Sequence, residues 1–295
     1  MITVLLSGGL GNQLFQYATG RMLSLKHHTG LTLDLTFVNS KLQLDQLATY
    51  RRYELDVFDL PVTKTDLLVK GKYLYPISKM EHWLRKFILK IKYNYLLEDD
   101  SGFDEHILKA PDNSYIEGFF QSEKYFAGIS EVLRKDLEFK KPLSGRNLEM
   151  AGEIQQTNSV SVHFRRGDYF RLNKNLQKHG VATNEYYEKA IASMVEKVSH
   201  PDFYIFTDEP EWVRKNFRIG FPYKIAEFNQ SPDTAYLDMQ LMSLCRHNII
   251  CNSTFSWWGA WLNRNPGKII IAPKQWFTDL SINATHILPD SWIKL

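Results

Sequence analysis

The chain has 295 residues, of which 44% are apolar and 23% charged, enough to bury more than one core and too apolar for a disordered tail. A net charge of +3 is too weak to argue for nucleic acid, and the two cysteines, Cys245 and Cys251, lack any zinc-type spacing and read as buried free thiols. No secretory leader opens the sequence and no apolar run approaches the roughly 20 residues of a membrane helix, so a cytoplasmic protein is expected, at most peripheral to the inner face of the cell membrane.

Ile2 to Leu6 is a continuous apolar run stopped by Ser7-Gly8-Gly9, as a buried parallel strand would be. Leu14, Phe15, Ala18, Met22 and Leu25 then recur at helical spacing, and Leu31-Thr32-Leu33-Asp34-Leu35 reads as the next strand. Strand, glycine turn, helix, strand opens an α/β sheet. The turn Gly8-Gly9-Leu10-Gly11-Asn12-Gln13 carries two glycines of the dinucleotide fingerprint, with Leu14 in place of the third. Asp34 stands where that motif's ribose-binding acid would, which keeps an NAD-dependent oxidoreductase as an alternative reading.

From Lys64 to Glu98 the charge is one-sided, and His82 to Lys90 within it reads as a basic amphipathic helix. Such a helix is either a solvated face or a seat on a membrane surface. Glu98-Asp99-Asp100 reads as a polar turn, and with no Asp-x-Asp after a strand nothing points to a metal clamp. Lys141-Pro142-Leu143-Ser144-Gly145 is the best linker, giving domains of 1–143 and 144–295.

A second α/β pattern follows: strands at Ser159 to Phe164, Phe203 to Thr207, His247 to Cys251 and Lys268 to Pro273, with helices through Tyr187 to Val198 and Met239 to Leu244. Open α/β sheets bind ligands beyond the carboxyl ends of their strands, and three of these ends carry chemistry. His163-Phe164-Arg165-Arg166-Gly167-Asp168 offers two arginines that diverge, one free for a diphosphate and the other for Asp168 or the opposite domain, although a structural ion pair explains them equally well. Asn252-Ser253-Thr254-Phe255-Ser256 precedes a Trp-rich helix and makes a helix start suited to phosphate, or an ordinary cap. Thr207-Asp208-Glu209-Pro210 places a carboxylate that could read guanine or merely cap a helix.

Together these segments resemble the inverting α-1,2-fucosyltransferases, especially the bacterial ones. The likeness runs in order through Gly8 to Ala18, Gly118 to Phe126, His163 to Tyr169 and Asn252 to Leu262. The His-x-Arg-Arg-x-Asp motif is shared with α-1,6 and protein O-fucosyltransferases. The resemblance implies an α/β, GT-B-like chain of two Rossmann-like domains facing a central cleft, with the donor held by the carboxyl-terminal one. It implies GDP-β-L-fucose as co-substrate, a β-galactoside oligosaccharide or lipid-linked glycan as acceptor, and no cofactor or metal. Carried over by position, Arg165 takes the diphosphate with His163 beside it, and Asp208 reads guanine. Ser253, Thr254, Phe255 and Ser256 line the phosphates with Asn252, and Arg166 assists them. Gly9, Gly11, Asn12 and Gln13 approach from the other side. Asp168 is the candidate base, His163 a second candidate, and a mechanism with no dedicated base a third. A non-catalytic nucleotide-sugar-binding protein is the other alternative, and the acceptor's identity and the oligomeric state are not legible.

Overall fold

Ile2–Leu5 (β1) buries all four side chains because helices and neighbouring strands cover both of its faces. The computed structural model describes residues 1–38, 51–66, 79–99 (79–85 as backbone only), 102–167, 182–279 and 282–295. The chain forms two units, Met1–Lys140 with Thr285–Ile287 and Lys141–Ala284 with Leu288–Leu295.

In the first unit β1 leads through a glycine turn into Leu10–Lys26 (α1) and on to Leu31–Asp34 (β2) and Thr63–Thr65 (β3). Lys79–Lys92 (α2), Asn94–Leu97 (β4), Glu105–Leu108 (α3), Ser114–Glu117 (β5) and Ser130–Asp136 (α4) complete it. The sheet order is β3-β2-β1-β5-β4, all parallel. Gly20 lets α1 lie close on this sheet, since a Cβ there would collide with Val4 and Leu31.

The second unit begins with Gly145–Gln156 (α5) and Asn158–Phe164 (β6), then Asn184–Lys197 (α6), Pro201–Thr207 (β7), Pro210–Asn216 (α7) and Tyr223–Ala226 (β8). Tyr236–Leu244 (α8), His247–Ile249 (β9), Thr254–Leu262 (α9), Ile270–Ala272 (β10) and Ile293–Lys294 (β11) follow. The order β11-β10-β9-β6-β7-β8 is parallel throughout. The chain builds outward from β6 through β7 to β8 and then returns to β9 on the other side of β6. The carboxyl ends of β6 and β9 therefore flank a topological switch point, where a crevice forms.

The α/β class with two Rossmann-like parallel sheets is as expected. Pattern reading misses β3, β4 and β8, whose exposed side chains at sheet edges break any continuous apolar run, and also the short β5 and β11, too brief and too mixed in composition to stand out. The expected linker is partly helical, with Gly145 opening α5 at φ +54.

Candidate active site

The three chemistry-bearing segments emerge side by side. Phe164 of β6 is in register with Thr207 of β7, and Val162 of β6 with Ile249 of β9. Residues 165–167, 208–209 and 250–256 thus leave adjacent parallel strands at one edge.

The arginines diverge. Arg165 Nη1 stands 3.2 Å from Asp208 Oδ2 with its side chain 27% exposed. Arg166 lies over Trp212, its guanidinium carbon 3.4 Å from the ring centroid, and its Nε is 3.6 Å from Glu209. Stacking and pairing hold Arg166 against α7, whereas Arg165 points to the strand end. The Asp168 that was expected to pair with one arginine lies outside the described residues.

Asp208 shapes the turn that follows β6. Its Oδ1 accepts from the Arg166 backbone N–H at 3.0 Å, and its Oδ2 from the Gly167 N–H at 3.1 Å. Gly167 makes this possible, because a Cβ there would sit 3.0 Å from Asp208 Oδ2. With Arg165 as a third donor, both carboxylate oxygens are engaged in shaping the arginine turn. Three donors do not exhaust the roughly four lone-pair sites of a carboxylate. Asp208 does not cap a helix, since the N-cap of α7 is Glu209.

His163 sits inside the sheet edge, 4% exposed. Its Nδ1 is 3.1 Å from Cys251 Sγ, its ring faces Phe255 at 5.7 Å between centroids, and its carbonyl accepts from the Tyr187 hydroxyl. Burial, with the Arg165 charge beside it, pushes the imidazole down to about 3. A ring held neutral in this way can donate a hydrogen bond from one nitrogen and accept one at the other.

At the third strand end, Ser253 has the extended backbone of an N-cap, yet its side chain caps nothing. Its carbonyl accepts from Trp257 N–H at 3.0 Å, while Ser256 is fully buried and donates to that same carbonyl. Asn252 spends its amide on the Trp276 carbonyl at 3.1 Å. Asn252 and Ser256 therefore hold the loop, whereas Ser253, Thr254 and the first-turn N–H groups of α9 can meet an anion. Trp257, Trp258 and Trp261 are packed on one another behind it.

The glycine turn of the first unit differs. Gly8 adopts φ +74 and Gly9 is the N-cap of α1, but the Leu10 N–H donates to the protein's own Glu54 Oε2 at 3.0 Å. Gln13, fully buried, donates to the Gly8 and Arg52 carbonyls at 2.8 and 2.7 Å and accepts from Glu54 N–H at 2.9 Å. Gly11 is buried in the first turn, and Asn12 Oδ1 accepts from Gln121 at 3.0 Å. These bonds order the turn around Gly9, Gly11, Asn12 and Gln13. Asp34, fully buried, accepts from Thr36 and from the Tyr115 hydroxyl at 2.7 Å, so no ribose reaches it. The nicotinamide alternative loses both of its supports.

Two acids escaped the pattern reading. Glu98 is no polar turn: its carboxylate accepts from the Phe119 and Phe120 N–H groups at 2.8 and 2.7 Å and from Tyr125, ordering the Gly118 to Phe126 block. Burial pushes it up. Asp238, on the first turn of α8, accepts from Asn229 at 2.7 Å, and burial raises it to about 7. An acid within the apolar run Tyr236–Leu244 was the available signal. Among the described residues no cluster of three His, Cys, Asp or Glu could hold a metal ion.

The family model for glycosyl transferase family 11 matches residues 1–295. The chain is 32% identical to an alpha-1,2-colitosyltransferase of Escherichia coli, over all of this chain and 99% of that one. It is also 32% identical to the O-antigen biosynthesis glycosyltransferase WbnK of Escherichia coli, over 98% and 99% of the two. A galactoside alpha-(1,2)-fucosyltransferase 1 of Rattus norvegicus is 26% identical over 88% of this chain and 63% of its own length. Among solved structures, fucosyltransferase NodZ from Bradyrhizobium aligns at a TM-score of 0.50 with 13% identity, covering 88% of this chain and 91% of that one, a likeness of fold.

Proposed function

The chain belongs to glycosyl transferase family 11, and we propose that it transfers L-fucose from GDP-β-L-fucose to the 2-hydroxyl of a terminal β-galactoside, inverting the anomeric carbon without a required metal. The observation that carries this reading is the placement of Arg165 and the α9 helix start just past the carboxyl ends of the neighbouring strands β6 and β9, at the switch point of the sheet.

Direct displacement builds negative charge on the departing diphosphate. Arg165 is permanently charged and, held by Asp208, keeps its fork at the sheet edge; the Ser253 and Thr254 hydroxyls and the α9 N–H groups add neutral donors. These supply leaving-group stabilisation from the chain's own residues. The acceptor's proton goes to Asp168 in this reading, and the neutral His163 serves the diphosphate as a donor.

The colitosyltransferase relative favours one second reading, a nucleotide-linked colitose as donor. Incubating the protein with each donor and a panel of β-galactosides, then reading product mass and linkage, decides between them. A fucosylated 2-linked product supports the proposal. Binding of GDP with no transfer from either donor would leave a nucleotide-sugar-binding protein instead, and stabilisation by NAD alone would restore the oxidoreductase.

The acceptor class extends to lipid-linked glycans, with peripheral membrane contact through segment 64–98. What supports this is α2: Leu89 and Tyr93 turn inward, while Phe87, Ile88 and Ile91 are 49%, 41% and 72% exposed on the other side, flanked by Lys90 and Lys92. No described helix is long and apolar enough to cross a membrane. Flotation with vesicles containing anionic lipid tests it. Binding that survives Ile88→Ser with Ile91→Ser, or no binding by the unaltered protein, would remove this contact.

A further inference from the structure

The side chain opposite His163 is a cysteine, and this has a consequence for where the imidazole proton sits. Cys251 follows β9 and His163 is the penultimate residue of β6, neighbouring strands whose register (Val162 with Ile249) brings the two side chains together inside the sheet edge. Nδ1 and Sγ are 3.1 Å apart, and both residues are buried, at 4% and 1% exposure. We infer that Cys251 is a positioning residue: its S–H donates to His163 Nδ1 and so fixes the tautomer that carries the proton on Nε2.

The direction of the bond follows from the groups. A thiol has one proton and its sulfur is a poor acceptor, whereas an unprotonated imidazole nitrogen is a good one. S–H to N is thus favoured over N–H to S. Burial pushes the Cys251 thiol up to about 12, so the proton is there to donate, and the pair is neutral, not a thiolate beside an imidazolium. Ser256 Oγ, 3.8 Å from Sγ, competes less well than Nδ1 because it is farther away. The Tyr187 hydroxyl gives its proton to the His163 carbonyl at 2.9 Å, and its oxygen, also within reach of the Cys251 thiol, is a weaker acceptor than an imidazole nitrogen. Among the described residues nothing accepts from Nε2, which leaves a neutral N–H beside Arg165 for a ligand oxygen. The ring's other nitrogen decides what this one can do.

The role toward donor binding rests on the transferase reading, but the tautomer itself does not. It is read in the full chain labelled with 15N histidine, with no donor or acceptor added, and the His163 signal is assigned by its loss in His163→Gln. The proposal expects an unprotonated Nδ1 and a protonated Nε2 across neutral pH. Cys251→Ala should redistribute the proton toward Nδ1 and weaken transfer about tenfold, chiefly through KM for the donor, and Cys251→Ser should restore both. A protonated Nδ1 in the unaltered protein would overturn the proposal, whatever the variants do. So would a Cys251→Ala protein whose tautomer is unchanged, or a Cys251→Ser protein that folds but behaves like the alanine variant. If the tautomer is as expected but no sugar is transferred, the transferase reading fails and the proton assignment stands.

Discussion

Both units place a helix start just past the carboxyl end of a strand that flanks the switch point of its sheet: β1 into α1, and β9 into α9. Their furnishings are opposite. At α1 the first N–H is bound by Glu54 and the loop is stapled by buried Gln13. At α9 the Ser253 hydroxyl caps nothing and Arg165 stands at the neighbouring strand end. A helix start attracts negative charge wherever it occurs. Whether it becomes a binding site depends on whether the protein supplies that charge itself. The glycine turn looks more like a nucleotide site in sequence, yet it is the one the fold has closed on its own carboxylate.

Substitutions can break this contrast, and Arg165→Ala should do so most. It should lower kcat by two orders of magnitude or more, about 3 kcal/mol of transition-state stabilisation, as measured in steady-state transfer assays. Arg165→Lys should recover only part of this, because an ammonium lacks the planar fork. Asp208→Asn comes next, at about thirtyfold, since it weakens three donors' hold on the arginine turn. If Asp208 also reads guanine, the variant loses its discrimination between guanosine and inosine diphosphates; if it only shapes the turn, that discrimination is kept. Ser253→Ala should raise KM for the donor by about tenfold, the worth of one hydrogen bond to a charged oxygen. Glu54→Gln should leave transfer within about twofold and cost about 0.5–1 kcal/mol of stability, visible as a lower Tm.

The smallest effect sharpens the electrostatics of the second unit. Burial holds Asp238 protonated up to about 7, whereas the unfolded carboxyl ionises near 3.8. Between those values the folded chain binds the extra proton, so this group's contribution to stability falls as pH rises. His163 works in the opposite sense: its folded pKa of about 3 lies below the ordinary 6.5, and its contribution is lost as pH drops from 6.5 toward 3. Asp238→Asn, which keeps an acceptor for Asn229, should therefore gain on the unaltered protein in Tm as pH is raised from about 4 to 7. A constant difference across that range would contradict the assignment.

Much of the fold was legible because its central strands are apolar on both faces: β1, β6 and β7 announce themselves, while β3 and β8 are half-exposed and do not. The site was legible as segments, because strand ends in a parallel sheet gather at one edge. The division of labour within each segment was not. Nothing in Arg165-Arg166 says which arginine stacks on Trp212, since that partner lies on α7 beyond the next strand. Nothing in Asn252 to Ser256 says that Ser256 faces the core and Ser253 does not. Glu54 lies 44 residues from the N–H it closes, beyond the reach of any local pattern.

The most direct test of the central claim is calorimetric titration of GDP into three proteins, unaltered, Arg165→Ala and Glu54→Gln. GDP affinity should collapse in the arginine variant and be unchanged in the glutamine variant. Affinity that survives Arg165→Ala but changes with Glu54→Gln would place the nucleotide at the glycine turn of α1 and contradict that claim.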